Sequence, residues 1–164
     1  LELSSAICCA GKLMRTLKDE GFSVCACYSC ISPGDRLSLT AKKLRHMCSV
    51  SDLVITVGCE GFRPGDVIPD ITRAVVDREA DFFVSALCRT ELSNDAHVGD
   101  FPSRAFAGFC SGALIINLPS DTDASFKRLN SLIPSIRYAV TTSKGKTAMK
   151  SNATQELLSE FFSR

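Results

Sequence analysis

Residues 52–72 read Asp52-Leu-Val-Ile-Thr-Val-Gly-Cys-Glu-Gly-Phe-Arg-Pro-Gly-Asp-Val-Ile-Pro-Asp-Ile-Thr72. Leu53–Val57 is short, nearly all apolar and rich in β-branched residues, which suits a parallel strand buried on both faces. The glycines from Gly58 onward end it, and Pro69 opens a helix expected to reach Glu79. Strand, glycine loop and helix in that order form the unit of an α/β sheet, where ligands collect beyond the carboxyl ends of the strands. Gly58 and Gly61 allow close backbone approach to an anion, the helix start adds partial positive charge, and Asp66 offers a carboxylate to a metal or a polar ligand group. A tight turn would account for the same glycines.

The neighbouring segments continue the alternation. Residues 8–20 place Leu13, Met14 and Leu17 at helical spacing before Gly21, a helix stop. Phe22 to Ile31 reads as a strand closing at Ser32-Pro33-Gly34-Asp35. Leu37, Leu39, Leu44 and Met47 form the apolar side of a second helix, Ala113–Leu118 a second buried strand, and residues 124–140 a helix carrying Phe126, Leu129, Leu132, Ile133 and Ile136. The fold class expected is α/β, a three-layer sandwich with a mostly parallel sheet. One domain over residues 1–140 would be followed by a polar linker at 141–152 and a short helix at 155–162 within a tail running to 164.

With 164 residues and 45% hydrophobic content, the chain can bury a core of that size. Nineteen basic residues against 18 acidic ones lack the excess that a nucleic-acid backbone would select. The nine cysteines lack the spacing of a secreted disulfide scaffold, and no apolar run approaches a membrane span. A cytoplasmic protein with small-molecule partners, and with neither nucleic-acid nor membrane contacts, is the expectation. Cys25, Cys27 and Cys30 read as buried structural cysteines rather than metal ligands, because no second Cys or His pair lies at finger-like spacing. His46 and His97 are expected at the surface, and Glu91, Asp95 and Asp100 on a solvated loop.

Three ordered blocks resemble the MogA/MoaB family of molybdopterin-handling proteins, which includes the gephyrin G domain and its plant counterpart. That family reads Gly-Gly-Thr-Gly, Pro-Arg-Asp and Thr-Pro-Glu-Ala-Thr, matched here by Gly58, Gly61, Pro64, Asp66, Pro69 and Thr72. Ser103-Arg104-Ala105-Phe106-Ala107-Gly108 is similar to its Ser-Arg-x-x-Ala-Gly block, and Leu114-Ile-Ile-Asn-Leu-Pro119 to its Leu-Ile-x-Asn-Leu-Pro strand.

The resemblance implies molybdenum cofactor biosynthesis, with adenylylation of molybdopterin by ATP, release of pyrophosphate and a Mg2+ cofactor. It implies a homotrimer and a partner MoeA-type molybdate-insertion domain, fused or separate. Gly58, Glu60, Gly61 and Arg63 would then line the phosphate and nucleotide site. Asp66 and Asp35 would be catalytic, with Asp66 also holding Mg2+, while Ser103, Asn117, Pro119 and Ser120 would meet molybdopterin. For Asn117, closing a turn is an equal alternative to ligand contact.

Departures from the pattern support a second reading, a catalytically degenerate binding or scaffold module. Cys59 and Glu60 stand where the family has Gly-Thr, Gly65 where it has Arg, Ile68 where it has Thr, and Ser120 where it has Gly. Glu60 either accepts magnesium or repels phosphate. Arg63 is a substitute cation for the one absent at 65, and Asp35 falls one residue late after Pro33. The sequence also opens close to the family's first helix without a strand before it, so either Leu1 to Ile7 supplies a makeshift strand or the chain is a fragment.

Overall fold

The computed structural model describes the backbone at residues 2–25, 37–59, 61–92 and 104–162, with side chains at 6–25, 37–59, 61–89 and 104–143. Its elements are α1 (Glu2–Asp19), α2 (Leu37–Val50), β1 (Leu53–Val57), α3 (Ile68–Val75), β2 (Arg78–Glu79), α4 (Asp81–Leu92), β3 (Ala107–Cys110), β4 (Ala113–Leu118) and α5 (Thr122–Phe162). The sheet order is β1-β4-β3-β2.

β4 organises the molecule, since all six of its residues are buried. Strand alternation sends Leu114, Ile116 and Leu118 to one face, where they meet Cys9, Leu13 and Leu17 of α1, Phe83 and Leu87 of α4, and Leu129, Leu132, Ile133 and Ile136 of α5. Ala113 and Ile115 face the other way, against Leu44 and Cys48 of α2 and Ile71 and Val75 of α3. Helices on both faces of one sheet make the three-layer α/β sandwich expected from the sequence.

Among the described residues the sheet is mixed. β1 and β4 run parallel, with Thr56 beside Asn117, whereas β3 is antiparallel to both β4 and β2. The expectation of a mostly parallel sheet counted a strand over 22–31; residues 22–25 carry no strand, and the remainder lies outside the described residues. β3 went unread, and its direction follows from a two-residue turn. Ser111 and Gly112 both have positive φ, 52° and 88°, which is the twist that suits a tight hairpin between Cys110 and Ala113.

Three other expectations are corrected. Residues 2–7 belong to α1 instead of forming a strand, and the sequence explains it: Leu3, Ile7, Ala10, Met14 and Leu17 keep helical spacing from the start. α3 ends at Val75, not Glu79, because Val76 turns extended and Asp77 N–H donates to Phe109 O at 2.7 Å, starting the approach to β3. α5 continues through 141–162, where a linker and separate helix were expected; past Pro134 the segment holds one glycine, no further proline and several strong helix formers. No helix among the described residues is long and apolar enough to cross a membrane.

Candidate functional site

β1 and β4 end side by side, and their loops meet. Gly58 N–H donates to Leu118 O at 2.8 Å, and a Cβ on Gly58 would lie 3.5 Å from the Cβ of Ser120. Gly58 has φ +84°, and Cys59 follows at φ 55°, so the chain turns through two consecutive left-handed residues although only the first is glycine. Cys59 O then accepts from Ile68 N at 3.2 Å, which ties the turn to the first residue of α3.

Between these ends the loop is closed by its own aspartate. Asp66 Oδ2 accepts the Arg63 N–H at 3.0 Å, and a Cβ on Gly61 would fall 2.7 Å from that same oxygen. Glycine at 61 is therefore the space into which the carboxylate folds. Backbone bonds from Asp66 N to Arg63 O and from Val67 N to Gly65 O, at 2.9 and 3.0 Å, tighten the approach to α3. α3 begins without a side-chain cap, as expected once Ile68 stands in place of a hydroxyl residue, and Val67 occupies the N-cap position.

Beneath the loop lies Asn117, fully buried on β4. Its Oδ1 accepts from Thr56 Oγ1 at 2.9 Å and from Thr72 Oγ1 at 3.2 Å, binding β4 to β1 and α3. Its Nδ2 has no hydrogen-bond partner among the described residues. A buried amide donor left unsatisfied costs on the order of 1–3 kcal/mol, so a ligand acceptor reaching it would gain more than at an exposed donor. Asn117 therefore closes no turn: its Oδ1 joins β4 to β1 and α3, and its Nδ2 is the group left to meet a ligand.

On the β4 side, Pro119 O accepts from Ser125 Oγ at 2.6 Å, and Asp121 Oδ1 accepts the Ala124 N–H at 2.7 Å as the cap of α5. Pro119 and Ser120 are thus set by α5 and stand next to Gly58. The structure brings Gly58, Gly61, Arg63, Asp66, Asn117, Pro119 and Ser120 to this end of the sheet; Asp35, Glu60 and Ser103 lie outside the described residues.

Sequence reasoning passed over Thr56 and Arg104. Thr56 was legible as the polar residue in an apolar strand, at the register position opposite Asn117. Arg104 donates through Nη1 to Asp66 O at 3.2 Å and pairs through Nη2 with Asp70 Oδ1, so it fastens the loop to the first turn of α3.

Away from the site, Cys25 is exposed, contrary to the buried role expected of it, because no strand forms at 22–25; Cys27 and Cys30 lie outside the described residues. His46 is exposed on α2 as expected, while His97 is outside the described residues. Among the described residues no group of three or more His, Cys, Asp or Glu side chains converges.

A family model described as "Probable molybdopterin binding domain" matches residues 9–138. The chain is 32% identical over 88 residues to gephyrin of Dictyostelium discoideum, covering 54% of this chain and 12% of that protein. It is 32% identical over 108 residues to molybdopterin adenylyltransferase of Helicobacter pylori, covering 65% of this chain and 60% of that one. The chain spans less than two thirds of either relative's own length. The solved structure of the molybdopterin biosynthesis Mog protein from Mycobacterium ulcerans matches with a TM-score of 0.73 and 25% identity, over 84% of this chain and 86% of that one. With 130 of its 164 residues (9 to 138) inside the family match, the chain belongs to the molybdopterin-binding domain family of molybdenum cofactor biosynthesis.

Proposed function

We propose that the chain binds molybdopterin at the carboxyl ends of β1 and β4 and adenylylates it, converting ATP and molybdopterin to adenylyl-molybdopterin and pyrophosphate. The observation that carries this reading is the buried Asn117 amide, whose Nδ2 lacks a partner among the described residues directly under a backbone-built loop. Gly58, Gly61 and the start of α3 would receive phosphate oxygens, Arg63 would add charge, and Pro119 and Ser120 would border the pterin. Asp35, Glu60 and Ser103 complete the proposed set by resemblance.

A nucleotidyl transfer depends on positioning and on neutralising charge at the reacting phosphate. Magnesium in such sites is held by one or two carboxylates together with substrate phosphates, and Asp66 fits as one such carboxylate. The metal would supply charge neutralisation; Asp66 also keeps the loop closed through the Arg63 N–H. Assembly as a homotrimer, service to a MoeA-type insertion domain and a cytoplasmic location belong to the same proposal.

A second reading, a binding module without transferase activity, is favoured by one observation: Asp66 Oδ2 is already turned inward onto its own loop, against Gly61. One titration separates the two. Wild-type chain and Asp66→Asn, which keeps an acceptor for Arg63 N–H but loses the charge, are titrated with molybdopterin and then assayed for pyrophosphate release with magnesium-ATP. Transfer by the wild type, slowed about a hundredfold or more in the variant with pterin binding kept, supports the enzyme. Pterin binding without transfer supports the module, and no pterin binding refutes both.

A further inference from the structure

The loop that would receive an anion carries one cation of its own, Arg63, against nearby carboxylates. Asp66 folds into it, Asp70 sits in the first turn of α3, and Gly65 contributes no side chain. One guanidinium reaches this place from another part of the chain. Arg104, just before β3, spans from Asp66 O to the Asp70 carboxylate, residues 34 to 38 positions earlier.

We propose that Arg104 is a second cationic ligand, beside Arg63, for the substrate's phosphate groups, and that Asp70 holds it as an internal counter-ion until phosphate displaces the carboxylate. The proposal rests on the phosphate-site reading above and adds to it a residue and an exchange.

Exposure of the partners makes the exchange feasible. The Arg104 side chain is 30% exposed and that of Asp70 57%, so their pair is partly solvated and weakly held. A guanidinium carries five N–H donors in a planar fork, and the two contacts to Asp66 O and Asp70 use two of them. Phosphate matches that fork with two parallel charge-assisted bonds and carries more charge than the single carboxylate it would replace. The bond from Nη1 to Asp66 O meanwhile keeps the guanidinium at the loop throughout, so the swap needs only a movement at Nη2.

The test is calorimetric titration of the full chain with inorganic pyrophosphate, and separately with molybdopterin, at low salt. Wild type is compared with Asp70→Asn, Arg104→Gln, Arg104→Lys and the Asp70→Asn/Arg104→Gln double variant, with thermal melts as the fold check. Asp70→Asn should tighten pyrophosphate binding about two- to fivefold, the range an exposed ion pair can withhold. Arg104→Gln should weaken it roughly tenfold or more, and Arg104→Lys, which keeps the charge without the fork, should fall between. In the Arg104→Gln background, Asp70→Asn should have no further effect.

Equal tightening by Asp70→Asn with and without Arg104 would mean general repulsion and overturn the exchange. Unchanged pyrophosphate affinity in Arg104→Gln, with molybdopterin still bound, would overturn the proposal and leave the site reading intact. Binding of neither compound by the wild type would overturn both. If Arg104→Gln melts far below the wild type, Arg104→Lys decides: full wild-type affinity there would refute a role for the fork.

Discussion

Cys59 has φ 55°, in the region where an L-residue's Cβ crowds the following carbonyl oxygen. That conformation costs about 1–2 kcal/mol for a residue other than glycine. Replacement by glycine removes the crowding but frees the unfolded chain, which returns about 0.5–1 kcal/mol. Cys59 is exposed, so deleting its thiol forfeits little burial, and its carbonyl keeps the bond from Ile68 N whatever the side chain. Cys59→Gly is therefore expected to stabilise the fold by about 0.5–1 kcal/mol, a rise in melting temperature of about 1–4 °C for a chain of this size. Chemical unfolding by urea, followed by circular dichroism, measures the free energy directly. Cys59→Ala serves as the control, because it removes the thiol while keeping a Cβ in the left-handed region, and it should gain less than Cys59→Gly. Equal gains from alanine and glycine would locate the effect in the thiol and refute the backbone argument, as would any loss of stability in Cys59→Gly.

Two further outcomes follow from the packing. A Cβ on Gly108 would lie 2.7 Å from Val76 Cγ1 and 2.9 Å from Arg78 O, so Gly108→Ala should destabilise the fold by about 2 kcal/mol through forced separation of β2 and β3, read as a lower urea midpoint. Burial, then the neighbouring Cys110 thiol and Asp77, push the Cys48 thiol up from its ordinary 9.0. The folded state thus favours the protonated thiol, and the stability this contributes is fully present below about pH 9 and lost as pH rises through the higher folded value. Urea midpoints measured above pH 9 should fall more steeply for the wild type than for Cys48→Ala; parallel curves would contradict the assignment.

The parts of the fold legible in the sequence are those whose pattern is self-sufficient. Leu53–Val57 and Ala113–Leu118 are apolar enough to demand burial on both faces, and α1 and α2 carry their own periodicity. α4 and β3 were not legible for a physical reason. Phe82-Phe83-Val84 at the start of α4 favour strand locally and become helical through the burial of Phe83 and Leu87 against the sheet. Ala107-Gly108-Phe109-Cys110 has weak strand propensity and owes its conformation to pairing on both sides. At the site, glycines and the Asn-Leu-Pro run marked the two loops, which the bond from Gly58 N to Leu118 O sets side by side, whereas the Arg104–Asp70 pair spans 34 residues and no local pattern announces it.

The alternation along β4 also divides labour between the two sides of the sheet. Leu114, Ile116 and Leu118 belong to the layer of α1, α4 and α5, while Ile115 and Asn117 look towards α3, where Thr72 meets the buried amide. A single strand thus acts as a partition between an anchoring compartment and a working one. Under the proposed function, substitutions among Leu129, Leu132, Ile133 and Ile136 answer to packing alone, whereas α3 would have to satisfy packing and recognition with the same eight residues. Divergence within such a lineage should then accumulate unevenly, with the α1 and α5 layer accepting volume-conserving apolar exchanges and the α3 side tolerating only paired replacements.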